Sequence, residues 1–397
     1  MTLSKAHIPY GAYWSTPFCK WQGSLAEQHS VKLAAQVAKA TLPARGVDPG
    51  LLDSVVLGMT VPQRDSFYGA PWLAGMIGAP SVTGPTVAQA CATSARVLAL
   101  AATEVETGQR RCVLGITCDR TSNGPHIYYP KPGAPGGRGE ATDWVWDAFS
   151  RDPLAKNAMI ETAERVAKAE GFSREQQDEI TLLRSSQYEA SLADDRAFQR
   201  RYMAPVDVRL GRKRVQTTEA DEGVHSVTAE GLAKLSPMLE GGTVTFGSQT
   251  HPADGNAGIV VCDDARAAEL SKDKAVSIRV VAYGEARVDL GTMPKAVVPA
   301  ALDALNRAKL GVSDMKAIKT HNPFAVNDLY FCRELDVAHD RINNFGSPLI
   351  YGHPQAPTGT RLVIELIEEL VLAGGGYGLF SGCAAGDTAM ALVLAVE

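Results

Sequence analysis

Apolar positions along the chain switch repeatedly between two periods. Residues 26–42 carry them at helical spacing, and residues 51–60 end in a β-branched run that suits a buried strand. A second helix is predicted over 70–77 and a further central strand over 111–118. Between these lies Gly84-Pro-Thr-Val-Ala-Gln-Ala-Cys91, a β-leaning run that ends at a cysteine. Ala95, Leu98, Ala99 and Ala102 then recur at helical spacing with no glycine or proline among them. The alternation predicts an α/β unit whose parallel or mixed sheet is covered by helices.

The pattern changes after Asp119. Residues 121–140 hold four prolines and many glycines, a loop-rich excursion in which Gly133, Gly136, Gly137 and Gly139 read as turns rather than a phosphate cradle. Helical spacing returns over 157–170 (Met159, Ala163, Val166, Ala167), and Ser173-Arg-Glu-Gln opens a helix to about residue 193 with a capping box. Strands are predicted at 242–246 and 258–262. A second α/β unit follows from about residue 272: strand 276–282, helix 294–310, strand 315–320, helix 326–338. A turn bearing His353 then leads into a long helix, a layout that parallels the Cys91 segment. Residues 377–396 read as strand, turn and strand with Cys383 at the turn. Two similar halves suggest an internal duplication with one site between them.

Composition narrows the function classes. The 397 residues are 45% hydrophobic and 21% charged, as expected for a soluble globular chain rather than a disordered one. The net charge of −5 gives no general attraction to nucleic acid or acidic membranes, although Arg209, Arg212, Lys213 and Arg214 form a local basic run that is either a solvated face or a contact for an anionic ligand. No segment has the ~18 uninterrupted apolar residues of a membrane span, and no signal peptide is predicted. Seven cysteines without a C-x-x-C pair fit neither a disulfide framework nor a zinc cluster, so a reducing cytoplasm is expected.

Cys91 itself has two readings. At a strand-to-helix junction, unpaired N–H groups and the helix dipole favour thiolate over thiol, making a nucleophile; the alternative is a small buried hydrophobe. His353 and Cys383 carry the same ambiguity, as a turn histidine and a filler in a glycine-rich turn. Cys112, Cys118, Cys262 and Cys332 are read as packing within strands or helices, and Cys19 as structural.

Taken in order, these segments resemble the thiolase superfamily over essentially the whole chain. The opening Thr16-Pro-Phe-Cys-Lys-Trp-Gln-Gly-Ser-Leu-Ala-Glu27, the Cys91 helix, Thr121-Ser-Asn-Gly-Pro125 with Ser173-Arg-Glu-Gln-Gln-Asp-Glu179, Gly352-His353-Pro354 with Gly359 and Arg361, and Ser381-Gly-Cys383-Ala-Ala-Gly386 follow the family's order. The resemblance implies two duplicated α/β halves in a five-layered αβαβα fold with an inserted loop domain. The halves would be 1–120 (completed by 243–270) and 271–397, with 121–242 the inserted loop that binds coenzyme A. It also implies roles: Cys91 as acyl-accepting nucleophile, His353 as its base, Cys383 as the group that moves the α-carbon proton, and the backbone N–H groups of Cys91 and Ala385 as one oxyanion site. His353 with His321 would form the second.

The resemblance has departures. His321-Asn-Pro-Phe324 stands where most thiolases have Asn-Glu-Ala-Phe and is similar to a histidine-bearing variant of the family. Thr250 replaces a serine, and His251 follows it where a glycine is usual, either narrowing the acyl pocket or offering a donor to a polar chain. Arg96 is expected to form an ion pair; anchoring an anionic substrate is the alternative. Ser248 and His225 fall on the coenzyme A side, the latter where an arginine is common. Together these imply a thiolase acting on a β-oxoacyl-coenzyme A with an aromatic or carboxylated acyl group, as in the thiolase-like subunit of benzoylsuccinyl-coenzyme A thiolase. The family resemblance further implies at least a homodimer and no metal in this chain, and the benzoylsuccinyl-type relatives imply a small zinc-binding OB-fold partner subunit. A ketoacyl or hydroxymethylglutaryl synthase-like condensing enzyme and a non-catalytic acyl-coenzyme A-binding scaffold are the competing readings.

Overall fold

Two sheets with the same pairing scheme face each other across a pair of buried helices. The computed structural model describes residues 2–210 and 214–397. The basic run at Arg209, Arg212, Lys213 and Arg214 falls at the break, and its side chains lie outside the described residues. The chain opens with β1 (Tyr13–Ser15), β2 (Cys19–Lys20), α1 (Ser30–Ala44), β3 (Ser54–Gly58), α2 (Gly69–Ile77), β4 (Thr86–Val87), α3 (Thr93–Glu106) and β5 (Cys112–Arg120). The excursion holds β6 (His126–Tyr129), β7 (Glu140–Asp143), α4 (Trp144–Ser150), α5 (Met159–Glu170), α6 (Arg174–Ser191), α7 (Ala193–Arg200), β8 (Val206–Leu210), β9 (Arg214–Thr218) and α8 (Ala229–Ala233). The remainder is β10 (Ala253–Cys262), α9 (Asp264–Leu270), β11 (Ile278–Arg287), α10 (Val297–Ala308), β12 (Met315–His321), α11 (Ala325–Leu335), α12 (Pro348–Tyr351), α13 (Pro357–Leu372), β13 (Gly376–Ala384) and β14 (Thr388–Val396).

The first sheet runs β4-β3-β5-β10-β1, with β2 also on β10; the second runs β12-β13-β14-β11. In the first, β3 is parallel to β5, β5 antiparallel to β10, and β10 antiparallel to β1. In the second, β12 is parallel to β13, β13 antiparallel to β14, and β14 antiparallel to β11. The duplication expected from topology is therefore present in the hydrogen-bond ladders. Helices α1 and α2 cover the outside of the first sheet, α3 and α13 fill the space between the sheets, and α10 covers the outside of the second. This is the five-layered αβαβα order. All but the last two residues of α13 are buried, so it reads as apolar except for charges that find partners.

Close approach of the two central helices needs small residues. A side chain added at Gly359 would come within 2.9 Å of Ser94 Cβ, and Ser94 in turn donates to the Ala356 carbonyl. Thr360 donates to Ser94 Oγ at 3.0 Å and meets Thr117 Oγ1 at 3.1 Å. These contacts bring the start of α3 and the start of α13 together.

One predicted strand does not form. Residues 242–246 form no strand beyond a single bridge of Thr245 to Pro237, because the N–H groups of Thr243 and Val244 donate to the Glu164 carboxylate (2.9 and 2.7 Å) instead of a neighbouring strand. The predicted capping box at Ser173 is present with both bonds, Ser173 N–H to Gln176 Oε1 at 2.8 Å and the reciprocal Gln176 N–H to Ser173 Oγ at 3.3 Å.

Candidate active site

Cys91 lies just ahead of α3, and its backbone is set by the residue before it. Ala90 has φ +43°, a left-handed conformation that costs a non-glycine residue of order 1 kcal/mol or more. It is held there by bonds from Thr93 N–H (3.1 Å) and Thr93 Oγ1 (2.6 Å) to its carbonyl. The Cys91 thiol donates to Gln355 Oε1 at 3.2 Å. Burial raises its pKa to about 11, against the pull of the Ala385 N–H and its own N–H, both of which face Sγ. The thiolate expected at this helix start is therefore not the resting form. Desolvation outweighs two N–H donors, and a base has to take the proton.

His353, one of two imidazoles close to this thiol, is delivered by a turn whose Gly352 has φ +91°. Its N–H donates to the His251 carbonyl at 2.9 Å, Nδ1 meets Thr358 Oγ1 at 2.6 Å, and Nε2 is buried without a protein partner. In the tautomer with the proton on Nδ1, Nε2 presents a free lone pair. Burial first, and then the neighbouring His321, push its protonation well below the ordinary range. His321, at the end of β12, lies against it with ring centroids 4.2 Å apart and the rings tilted by 37°, and burial lowers its pKa to about 3. A ring nitrogen of each and Cys91 Sγ lie within 4.8 Å of one another. Cys383 is the penultimate residue of strand β13 rather than part of the tight turn after it; its Sγ accepts from Asn327 Nδ2 at 3.3 Å and faces the His321 carbonyl at 3.9 Å. Burial, then Cys91, raise its pKa well above the ordinary value.

Four segments from the two halves thus converge at the C-terminal ends of the parallel strands. Residues 12–265 match the thiolase N-terminal domain and residues 274–396 the thiolase C-terminal domain. The chain belongs to the thiolase family. It is 31% identical over 379 residues to the beta-ketothiolase BktB of Cupriavidus necator, covering 94% of each chain. It is 28% identical over 387 residues to a probable acetyl-CoA acetyltransferase of Escherichia coli, covering 96% of each. Among solved structures, human mitochondrial 3-ketoacyl-CoA thiolase in complex with CoA superposes with a TM-score of 0.91 at 26% identity, over 100% of this chain and 99% of that one.

The other expected site residues of this thiolase divide. Thr250 donates its hydroxyl to the Pro348 carbonyl and its N–H to the Pro323 carbonyl (2.7 Å), tying the His321 and His353 loops together. His251 packs against Gly352 and Gly223 with Nε2 buried and unpartnered, and His225 is exposed beyond it. Ser248, expected on the coenzyme A side, is fully buried, and its hydroxyl accepts the Thr245 N–H at 2.9 Å. Arg96 pairs with Glu285 and with Gln89 Oε1 (2.7 Å), the ion-pair alternative. Six of the seven free cysteines are buried, and only Cys91 is partly open.

Several residues at the site went unread in the sequence. Asp328 accepts from Arg184 (2.8 Å), Thr320 Oγ1 (2.7 Å) and Asn322 Nδ2 (2.7 Å), and Asn322 reaches Ser347 Oγ at 3.1 Å, so a fully buried network backs the His321 loop. Asp119, at the end of β5, accepts the N–H of Ala356 (2.9 Å) and of Val61 (2.8 Å) and anchors the loop after His353. A signal existed in the charged and amide residues interrupting apolar helical faces, but not in their partners.

Proposed function

We propose that this thiolase cleaves a β-oxoacyl-coenzyme A with coenzyme A, and runs the reverse Claisen condensation, through an acyl-enzyme on Cys91. The observation that carries the reading is the convergence of Cys91, His353, His321 and Cys383, with the N–H groups of Cys91 and Ala385 facing the sulfur. In thiolysis, the Cys91 proton passes to His353 Nε2 and Sγ attacks the β-carbonyl. The bond between the α and β carbons breaks, and the departing α-carbon takes the proton of the Cys383 thiol. Coenzyme A then gives its thiol proton to the Cys383 thiolate and attacks the thioester, and Cys91 leaves as thiolate to recover its proton from His353. The Cys91 and Ala385 N–H pair serves the oxyanion of the acyl carbonyl, and His321 with His353 serves the thioester enolate. Donors of this kind contribute roughly 3–4 kcal/mol each.

Coenzyme A as co-substrate is supported by the relatives named for it and by the human structure that holds it. The inserted region 121–242, with His225 at its open face, is the segment assigned to the nucleotide. The unpartnered, buried Nε2 of His251 supports an acyl group with an acceptor at that depth, carboxylated or aromatic, with benzoylsuccinyl-coenzyme A as the reference substrate. The reading includes a homodimer joined at the β4 edge, a small zinc-binding OB-fold partner and a cytoplasmic setting. Among the described residues, no helix is long and apolar enough to cross a membrane.

Intact-protein mass after mixing with a panel of β-oxoacyl-coenzyme A esters tests this directly. An acyl adduct on the wild type that is lost in Cys91→Ser is expected, strongest with the carboxylated or aromatic esters. Absence of any adduct, also with a zinc-binding partner subunit added, would overturn the enzyme reading in favour of an acyl-coenzyme A-binding scaffold.

A further inference from the structure

Gln355 touches the Cys91 thiol and follows His353 by two residues. Its backbone has φ +64°, a left-handed conformation that an L side chain seldom adopts, and the flanking bonds fix it: its carbonyl accepts Thr358 N–H at 3.3 Å, and the next N–H, of Ala356, is held by Asp119 at 2.9 Å. The residue is 6% exposed. Its Oε1 takes the Cys91 thiol proton at 3.2 Å, while Cys91 Sγ and the ring nitrogens of His353 and His321 are only within 4.8 Å of one another. The resting thiol therefore points at the carboxamide and not at the imidazole.

We propose that Gln355 is a catalytic residue of this thiolase, whose Oε1 holds the Cys91 proton before transfer and the same proton on His353 Nε2 after it. The inference rests on the reading of Cys91 as nucleophile and His353 as base. In the step, the S–H bond breaks, the N–H bond forms on Nε2, and the acceptor oxygen swings from one donor to the other. The two bonds are unequal. A thiol is a weak donor, whereas an imidazolium N–H makes a charge-assisted bond of roughly twice the strength, so the shared acceptor favours the transferred state. Once Nε2 carries the proton, Gln355 accepting a hydrogen bond from it acts to raise the His353 pKa, opposing the burial that lowers it. The remaining titratable groups facing this pair are His321, Cys383, Asp119 and His251, and none is altered in the test.

The test is the pH dependence of Cys91 alkylation by iodoacetamide, read on the Cys91 peptide by mass spectrometry, in wild type and Gln355→Met. Methionine keeps the length and the backbone strain but removes the acceptor. Near neutral pH the reactive form is the thiolate–imidazolium pair, and its rate is expected to fall about tenfold in the variant, the size expected for one charge-assisted bond. In strong alkali, where the thiolate forms without His353, the two proteins should react alike; a merely structural defect would lower both limbs. Superimposable profiles would overturn the proposal, as would an equal loss at both ends. Should Gln355→Met fail to fold, Gln355→Asn withdraws the carboxamide by one methylene and reads the same difference. Alkylation needs no substrate, so a missing acyl adduct with a shifted profile would sink the acyl-transfer reading alone, and a normal adduct with an unshifted profile would sink the relay alone.

Discussion

The α3 and α13 segments occupy equivalent slots in the two halves, each following the first of two parallel strands and each carrying a candidate site side chain ahead of its first turn. They solve burial in opposite ways. The inner face of α3 is made of Ala95, Val97, Leu98, Ala99 and Ala102, and its charged Arg96 reaches outward to a partly exposed Glu285. Helix α13 instead buries Arg361, Glu365 and Glu368 completely. Arg361 makes two bonds to Asp221 (2.7 and 2.8 Å) and one to Glu365 (2.9 Å), and its guanidinium lies 3.8 Å from the Tyr351 ring centroid. Glu368 accepts from Tyr13 (2.7 Å) and Arg201 (2.6 Å). Asp221 and Arg201 belong to the excursion, so the charges on α13 fasten that excursion to the core. Repetition of topology did not require repetition of chemistry: one helix is small so that a nucleophile can be approached, the other is charged so that an inserted region can be held.

The largest effect that would separate the two segments is on the chemistry. His353→Ala should slow acylation by about 10²–10⁴-fold, measured by rapid-mix mass spectrometry. Its wild-type pH profile follows from the lowered His353 pKa: the neutral base is available at and above neutral pH, and the rate falls only as pH drops through a value below the ordinary histidine range. In the variant that acid limb should vanish, leaving a rate that climbs toward the thiol pKa of about 11. An acid limb that survives would assign the titration to another group.

Next in size is the loss of a buried charge. Arg361→Met leaves Asp221 and Glu365 unpaired in the interior and should cost about 3–5 kcal/mol in urea unfolding. The double variant with Asp221→Asn should recover part of it. A loss below about 1 kcal/mol would mean that the network does not hold the excursion. Thr358→Val removes the partner of His353 Nδ1 and should lower kcat about tenfold with KM unchanged, since ring orientation and tautomer matter to proton transfer more than to binding; an equal change in both would point to misplacement of the loop. The smallest effect is expected on α3, where Arg96→Met breaks a half-exposed pair and should cost about 0–1 kcal/mol in the same assay. A cost equal to that of Arg361→Met would erase the contrast between the helices.

Much of the fold was legible because periodicity reports burial. The helix predicted over 157–170 is Met159–Glu170, and the strand predicted over 315–320 is Met315–His321. Failures came where a distant side chain intervened. The 242–246 run reads as a strand, yet Glu164 claims its N–H groups. The Cys91, His353, His321 and Cys383 positions were legible through motifs in a known order, and the structure brings them together. Gln355 was not, because nothing local marks a glutamine whose partner lies 264 positions earlier. Nor were Arg184 and Asp328, which are 144 positions apart and meaningful only as a pair.

By itself, the sequence determined the alternation of strands and helices, the two-half plan and the positions of the candidate site, since all of these depend on local spacing and residue chemistry. Only the tertiary structure decided the protonation states. A helix start predicts a thiolate at Cys91 from its own N–H groups and dipole, but the charge of a buried sulfur is set by everything that excludes water from it. Here that is the packing of one half against the other, which holds the thiol neutral and places Gln355 and His353 where its proton can go.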